Sequence, residues 1–363
     1  MSHSPPVANI VAPAVRDLNE LAGQLEAWLT SNVTGRPVRV TEVDYPRGAG
    51  LSHETILFTA IWEEQSGTEH HELVVRIKPS TFLVFQDDLF SEQFRLMRAL
   101  HKSGRVPVAK PLWYEEDPAI LGAPFFIMQR KHGRVPVSSP SYLAHGWVFD
   151  ASIEDRRRLW RSAVEALASL QSVDLTTVEF LRDPAIPDGF DHEWNRWIRF
   201  FEMISADRPL PRIADAFAQL AELKPHHRPP GLVWGDARIG NMMFDADFRV
   251  TAIMDWEQPS LGGALHDLGW WLFLDRVRIH HNGGRSLEGL GGREETLELW
   301  SRLTGIPTDD FDWYEAFAGL KLTCLPIHMS ALRGRVLTEA ECNELWHLGE
   351  AEQLIARVPG GCG

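Results

Sequence analysis

Three polar residues late in the chain have the types and the spacing that phosphoryl transfer needs. Asp236 is followed five residues later by Asn241, and Asp255 comes after a second apolar run. A carboxylate can orient a reacting hydroxyl and accept its proton, and carboxylate and amide oxygens are the ligands that Mg²⁺ prefers. We therefore expect a short strand before each aspartate, at 232–234 and 252–254, and a hairpin that brings Asp255 to the metal held by Asn241.

Each of these residues taken alone also has an ordinary structural explanation. Asp236 could cap a turn through its side chain, and Asp255 could end a strand at the surface. The order of the three residues, first a base, then an amide ligand and then a carboxylate ligand, is what favours a functional site.

The composition is that of a globular protein with a large core. Of 363 residues, 44% are hydrophobic and 24% charged, with 14 Trp and 18 Phe, which allows one or two domains. Fifty acidic residues against 36 basic ones give a formal charge of −14, which argues against a nucleic-acid or anionic membrane partner. The same charge suits a cationic small substrate, although solubility alone explains it.

The cysteines and the N-terminus point to a reducing compartment. Cys324, Cys342 and Cys362 are an odd number without CxxC spacing, which does not suggest disulfides or a zinc site. No basic leader with an apolar run is found at the N-terminus, and no stretch approaches eighteen apolar residues. We expect a cytoplasmic protein, a monomer or homodimer, with no nucleic-acid or membrane partner.

Two β-rich segments near the N-terminus flank a glycine-containing stretch. Residues 38–45 and 54–62 are rich in β-branched and aromatic residues, and residues 46–53 lie between them. Gly50 would let backbone amides approach a phosphate, and Ser52 would add a hydroxyl. An ordinary hairpin turn explains the same residues.

The next strand carries a cation. Residues 72–79 have the spacing of a strand with Leu73, Val75 and Ile77 on one face and Val74, Arg76 and Lys78 on the other. Burying such a cation is costly without an anionic partner, so Arg76 is a candidate for a nucleotide phosphate and a carboxylate. An edge strand with a solvated arginine is equally compatible with the sequence.

The segments that follow offer a carboxylate and a hinge. A helix predicted over 88–100 presents Glu92, and a strand over 123–129 ends at Gln129 before a connector that could accommodate an adenine. From about residue 134 the apolar spacing becomes helical, with aromatic stripes that are typical of a core. We predict an α+β fold with a small lobe at 1–130, which holds an antiparallel sheet, and a larger, mainly helical lobe at 131–363.

Several segments of the sequence resemble those of one protein family. The segments Trp234-Gly-Asp-Ala-Arg-Ile-Gly-Asn241 and Ile253-Met-Asp-Trp-Glu257 resemble the catalytic and metal loops of the aminoglycoside phosphotransferase family, a branch of the protein-kinase-like fold. Upstream and downstream segments also look like family segments, so the resemblance covers roughly residues 40 to 275. They are Gly48 to Thr55, Val74 to Lys78, Glu92, Phe125 to Gly133, Ala168 to Asp174 and Gly262 to Trp271.

The resemblance implies a bilobal small-molecule kinase that uses ATP, or GTP in its place, with Mg²⁺. It implies Asp236 as the catalytic base, Arg238 as the cation that steadies the moving phosphoryl group, and Asn241 and Asp255 as metal ligands. It further assigns the nucleotide to Gly50, Ser52, Arg76, Glu92 and Gln129, and support of the catalytic loop to Trp234 and Asp267.

Three residues depart from the family pattern. Trp234 and Gln171 stand where His is frequent, and Arg76 stands where Lys is common. The indole N–H or packing of Trp234 must then replace any hydrogen bond of that His. None of these departures removes the base or a metal ligand, which favours an active enzyme.

Two other hypotheses remain open. A nucleotide-binding pseudokinase that serves as a regulatory or interaction module is compatible with Trp234 and Arg76. A metal-dependent phosphohydrolase would use Asp236, Asp255 and Asp267, but it leaves the N-terminal residues without a role. The acceptor could be an aminoglycoside, another sugar, an amino alcohol or a hydroxyacyl compound.

Overall fold

A computed structural model describes residues 16–46, 54–65, 67–78 and 87–359 of the chain. In chain order the elements are α1 (Leu18–Leu29), β1 (Arg39–Asp44), β2 (Glu54–Glu64), β3 (Gly67–Ile77), α2 (Phe90–Ser103), β4 (Pro111–Glu115), α3 (Pro118–Leu121), β5 (Phe125–Gln129), α4 (Ile153–Ser169), α5 (Gly189–Ser205), α6 (Pro211–Glu222), β6 (Met242–Phe244), β7 (Val250–Ile253), α7 (His266–His281), α8 (Arg293–Thr304), α9 (Phe311–Leu332), α10 (Glu339–Asn343) and α11 (Trp346–Ile355).

Two compact units make up the chain. The first contains residues up to 84 together with 112–130 and 328–337, and the second contains 85–111, 131–327 and 338–363. The domain boundary that the sequence suggests, between residues 130 and 131, stays a prediction.

The first unit is built on a five-stranded sheet with the order β1-β2-β3-β5-β4. The pairs β1–β2, β2–β3 and β3–β5 are antiparallel. The predicted alternation in β3 is confirmed, since Leu73, Val75 and Ile77 belong to the core that α1 covers, while Arg76 lies on the other face. Helix α1 begins after Asp17, whose side chain accepts hydrogen bonds from the first-turn amides, and contributes Trp28 to this core.

Strand β4 was not expected from the sequence. It begins at Pro111, in a part of the chain for which no strand is predicted. Proline lacks the N–H that an interior strand must donate, but it is tolerated as the first residue of an edge strand. β4 lies at the end of the sheet order, which is such an edge.

The second unit is mainly helical and contains the two-stranded hairpin of β6 and β7. Aromatic side chains of α5 and α9 pack together in its interior, where the rings of Trp194 and Phe317 lie 5.1 Å apart. The prediction that the aromatic stripes form core is therefore confirmed. No helix among the described residues is long and apolar enough to cross a membrane.

The strand predicted at 232–234 is wrong. Val233 forms one isolated bridge, with Ser260, and Trp234 already leaves that pairing. The reason is that the main-chain N–H groups of Trp234 and Gly235 donate to the carboxylate of Asp267, so they are not available to a neighbouring strand. The second predicted strand, β7, is present and ends at Ile253.

Candidate active site

The residues around Asp236 form a tight loop that leads into the β6–β7 hairpin. Gly235 has φ +101°, a conformation that favours glycine, and residues Ile239–Asn241 form a single 3₁₀ turn. The N–H of Met254 donates to the main-chain oxygen of Asn241 at 2.9 Å. The hairpin thereby brings the segment of Asp255 beside the loop of Asp236, as the sequence predicted.

The carboxylate of Asp236 receives three side-chain hydrogen bonds. Its Oδ2 accepts from Asn241 Nδ2 at 2.7 Å and from Arg238 Nε at 2.9 Å. Its Oδ1 accepts from the indole Nε1 of Trp270 at 3.0 Å. The carboxylate is thus held in one orientation before any ligand arrives.

Asn241 is almost fully buried, with 6% of its surface exposed. Its Nδ2 donates both to the carboxylate and to the main-chain oxygen of Asp236, the latter at 3.1 Å. Because the amide nitrogen is committed to Asp236, the side-chain oxygen of Asn241 is the atom suited to bind a cation.

Asp255 adopts the left-handed conformation, with φ +62°. A non-glycine residue in this region costs about 1 to 3 kcal/mol and persists where surrounding contacts hold it. The conformation is held by Trp234, whose indole N–H donates to the main-chain oxygens of Met254 at 2.8 Å and Asp255 at 3.0 Å. The oxygen ligands that Asn241 and Asp255 offer fit Mg²⁺, a hard cation.

Asp267 lies in the first turn of α7 and binds the loop through its main chain. Its two carboxylate oxygens accept from Trp234 N at 2.6 Å and from Gly235 N at 2.9 Å. Burial raises the pKa of Asp267 to about 6, against the lowering effect of these two hydrogen bonds. Since both oxygens already have backbone donors, the geometry suits a brace and argues against a third metal ligand.

Arg238 lies against the base. Besides its bond to Asp236, its Nη1 donates to the hydroxyl of Ser138 at 3.0 Å. Burial alone would lower the pKa of Arg238, but the neighbouring Asp236 charge raises it, so the side chain stays a cation.

Three side chains, those of Trp270, Gln171 and Ser138, make contacts at the site that the sequence did not indicate. Trp270 lies one helical turn after Asp267, and this spacing is the single clue that the two share a face of α7. Gln171 donates to the main-chain oxygen of Leu232 at 3.1 Å, which gives this departure from the family pattern a contact with the loop. Ser138 is 100 residues from its partner Arg238 and could not have been found.

Of the five residues predicted to bind the nucleotide, two belong to the first unit, one belongs to the second, and two lie outside the described residues. Gly50 and Ser52 lie outside the described residues. In the first unit, Arg76 is buried in β3, and Gln129 is exposed at the end of β5. In the second unit, Glu92 lies in the first turn of α2 and accepts from Ser91 Oγ at 2.9 Å. Their shared role in binding a nucleotide stays a prediction.

Other metal sites find no support. Among the described residues, no group of three or more His, Cys, Asp and Glu side chains could hold a metal ion. The neighbouring residues His280-His281 and Asp191-His-Glu193 are therefore not part of such a cluster. A magnesium site that combines one asparagine with one aspartate is smaller than such a group and is compatible with this finding.

A kinase-like α+β fold and the carboxylate of Asp236, held by an asparagine beside the segment of a second aspartate, are the features expected of a phosphotransferase. The chain belongs to the phosphotransferase enzyme family, whose sequence model matches residues 46–305. The resemblance seen in the catalytic and metal loops is thereby confirmed.

Solved structures share this fold. A candidate aminoglycoside phosphotransferase from Ralstonia eutropha is 23% identical, with a TM-score of 0.64 over 92% of this chain and 95% of that one. A thermostable mutant of the aminoglycoside phosphotransferase APH(4)-Ia, in complex with AMP-PNP and hygromycin B, is 17% identical. Its TM-score is 0.52 over 94% of this chain and 100% of that one.

Curated relatives carry a different name. Acyl-CoA dehydrogenase family member 11 of Homo sapiens is 27% identical over 304 residues, which are 78% of this chain and 35% of that protein. Family member 10 of Mus musculus is 26% identical over 265 residues, 70% of this chain and 24% of that protein. The chain thus spans about a third or less of the length of these relatives.

Proposed function

We propose that the chain is a small-molecule kinase that transfers the γ-phosphoryl group of ATP, or of GTP, to a hydroxyl group with the help of Mg²⁺. The observation that carries the proposal is the carboxylate of Asp236, held by Asn241 and Arg238 beside the segment of Asp255. Membership in the phosphotransferase family supports it.

Each residue has a distinct task in this proposal. Asn241 and Asp255 would hold Mg²⁺, which when bound neutralises charge on the nucleotide phosphates. Arg238 offers a fixed cation to the oxygens of the phosphoryl group in transfer. Asp236 orients the acceptor hydroxyl and receives its proton. Its Oδ1 is the atom suited to this task, because it accepts fewer hydrogen bonds than Oδ2.

This arrangement needs no covalent intermediate. Phosphoryl transfer passes through a loose transition state, so that catalysis consists mainly of positioning and charge neutralisation. The hydrogen bonds from Asn241, Arg238 and Trp270 fix the orientation of Asp236 in advance, which removes most of the reorganisation that would otherwise slow the step.

The acceptor is proposed only as a class. Solved neighbours hold hygromycin B or kanamycin, which favours aminoglycosides, other sugars and amino alcohols. The relatives named acyl-CoA dehydrogenase family members add hydroxyacyl compounds to the acceptors that should be tested first. We expect the acceptor near residues 190–205 and the segments after 265, and a cytoplasmic monomer or homodimer.

The test is a phosphate-transfer screen with purified protein, Mg²⁺, ATP or GTP, and grouped acceptors from these classes. Asp236→Asn should keep nucleotide binding and reduce transfer by about a thousandfold or more, because the base is lost while the fold is kept. Asp247→Asn, on the exposed turn of the hairpin, is the matched control and should behave as the wild type.

Two results would contradict the proposal. If Asp236→Asn transfers phosphate as fast as the wild type, Asp236 is not the base. If the wild type binds the nucleotide with Mg²⁺ but transfers phosphate to no acceptor of the panel, the pseudokinase hypothesis is favoured.

A further inference from the structure

We infer that Trp270 is a positioning residue for Asp236, and that its indole N–H aims the carboxylate oxygen that meets the acceptor hydroxyl. The inference rests on the proposed function of Asp236 as the base. The family resemblance includes the segment Gly262 to Trp271 but assigns no role to Trp270, which lies outside the catalytic loop, 34 residues beyond Asp236.

The two oxygens of Asp236 are used differently. Oδ2 accepts from both Asn241 and Arg238, whereas the described residues give Oδ1 one hydrogen bond, from Trp270. A carboxylate oxygen offers about two acceptor positions. Oδ2 is therefore filled, and Oδ1 keeps a position for the acceptor hydroxyl next to the indole N–H.

Helix α7, which contains Trp270, makes two separate contacts with the catalytic loop. Asp267, one turn earlier in α7, binds the main chain of Trp234 and Gly235, and Trp270 binds the side chain of Asp236. The same rigid helix therefore positions both the main chain of the loop and the side chain of Asp236. Placing site residues on a rigid element keeps their geometry precise.

The indole itself is fixed in place. It is 5% exposed, and its ring lies 6.4 Å from the ring of Trp197 and 5.2 Å from the ammonium group of Lys321. Lys321 in turn lies 3.5 Å from the carboxylate of Glu193. A cation over the indole face attracts its electrons, which makes the N–H a better donor as well as restraining the ring.

Helix α7 also has little freedom to shift against its neighbour α9. A Cβ atom built at Gly269, the residue before Trp270, would come within 2.6 Å of the main-chain oxygen of Tyr314. The helices therefore approach each other closely at the point where Trp270 leaves the backbone. This close helix packing restrains the position from which the side chain of Trp270 reaches Asp236.

The test compares Trp270→Phe with Trp313→Phe in the full chain. Phenylalanine keeps an aromatic ring but loses the N–H. Trp313 is a matched control, because it is fully buried and its indole donates to the main-chain oxygen of Leu220 at 2.9 Å, away from Asp236. Both variants should lose similar stability in urea unfolding.

The two variants should differ in kcat. Trp270→Phe should lower kcat about tenfold to a hundredfold and leave the KM for the nucleotide within about twofold, as expected for a lost hydrogen bond to a charged group. Trp313→Phe should keep kcat. Equal kcat values for the two variants would overturn the inference, because a purely structural role predicts that result.

A second measurement does not depend on turnover. In ¹⁵N-tryptophan-labelled protein, the indole resonance that is missing in Trp270→Phe identifies Trp270, and Asp236→Ala should move that resonance upfield. An unmoved resonance contradicts the contact whatever the activity. If the resonance moves but the wild type transfers no phosphate, the contact stands and both the proposed function and the role of Trp270 in it are rejected.

Discussion

The indole Nε1 of Trp234 lies 3.0 Å from the main-chain oxygen of Asp255 and donates a hydrogen bond to it, shared with the oxygen of Met254 at 2.8 Å. This bond joins the segment before the proposed base to the residue proposed to bind the metal. His is frequent at this position in the family that the sequence resembles, and in this chain the N–H of the tryptophan makes the contact.

Trp234→Phe should weaken the proposed metal site. The ring volume is largely kept, but the strained conformation of Asp255 loses its donor, which costs about 1 to 3 kcal/mol. We expect the Mg²⁺ concentration for half-maximal activity to rise about tenfold. Kinetics at varied Mg²⁺, with Trp313→Phe as the control, measure this effect.

Trp234→His provides the converse test. Histidine keeps a ring N–H, so it should recover part of the Mg²⁺ affinity that Trp234→Phe loses. Equal Mg²⁺ requirements in the wild type and Trp234→Phe would show that the bond to Asp255 is dispensable.

Gly235→Ala should misplace the base. Gly235 has φ +101°, and a Cβ there would lie 2.3 Å from the main-chain oxygen of Gln258, which cannot move as a side chain could. A shift of the loop by about 1 Å is expected to reduce kcat about a hundredfold. The measurement is kcat together with the free energy of unfolding.

Gly284→Ala is the control for backbone strain alone. Gly284 also has a positive φ, +79°, but nothing lies within 4 Å of its Cβ position. This variant should lose about 1 kcal/mol of stability and keep kcat. If Gly235→Ala behaves like Gly284→Ala, the close approach to Gln258 does not position the loop.

His266 should make the protein sensitive to acid. It is buried at the start of α7, and burial lowers its pKa to about 3, against the raising effect of Glu193. Its stabilising contribution is full above the unfolded pKa of about 6.5 and is lost as the pH falls toward 3. His266 alone should lower the free energy of unfolding by about 2 kcal/mol at pH 5 relative to pH 8.

Urea unfolding of the wild type and His266→Gln between pH 8 and 5 measures this contribution. Between pH 8 and pH 5, the free energy of unfolding of His266→Gln should fall by about 2 kcal/mol less than that of the wild type. His145→Gln, at an exposed position, should follow the wild type. Asp267 acts in the opposite direction, since its raised pKa favours the folded state below about pH 6, but it is present in all three proteins. Parallel curves for His266→Gln and the wild type would exclude the role of His266.

Lys321→Met should destabilise the second unit. Burial would raise the pKa of Glu193, but the charges of Lys321 and Arg196 lower it to about 2, so Glu193 is ionised in the interior. Removing the lysine leaves that charge with less compensation, and we expect a loss of about 3 kcal/mol. Urea unfolding at pH 7 measures it.

A double-mutant cycle tests the coupling. Glu193→Gln removes the charge, and the amide can keep hydrogen bonds with Ser260 and Trp197. Lys321→Met combined with Glu193→Gln should therefore be less destabilised than the sum of the single variants by about 1 kcal/mol or more. Additive losses would mean that the 3.5 Å contact between the two side chains contributes no coupling.

The sequence by itself determined the local parts of the fold and site. The strand alternation of Leu73, Val75 and Ile77 follows from a period of two, and it defined the core face of β3. Asp236 and Asn241 meet because the four residues between them form a tight turn. Asp267 was also expected to bind the loop backbone, on the strength of the family resemblance.

The tertiary structure decided which distant side chains complete the site. Burial of a tryptophan can be predicted from helical spacing, but not that the N–H of Trp270 reaches Asp236 across 34 residues or that Ser138 reaches Arg238 across 100. The apolar run 232–234 looked like a strand because its pattern cannot reveal that Asp267 takes its N–H groups. Such contacts depend on how whole helices pack, and packing is a property of many residues together, whereas spacing along the chain records only neighbours.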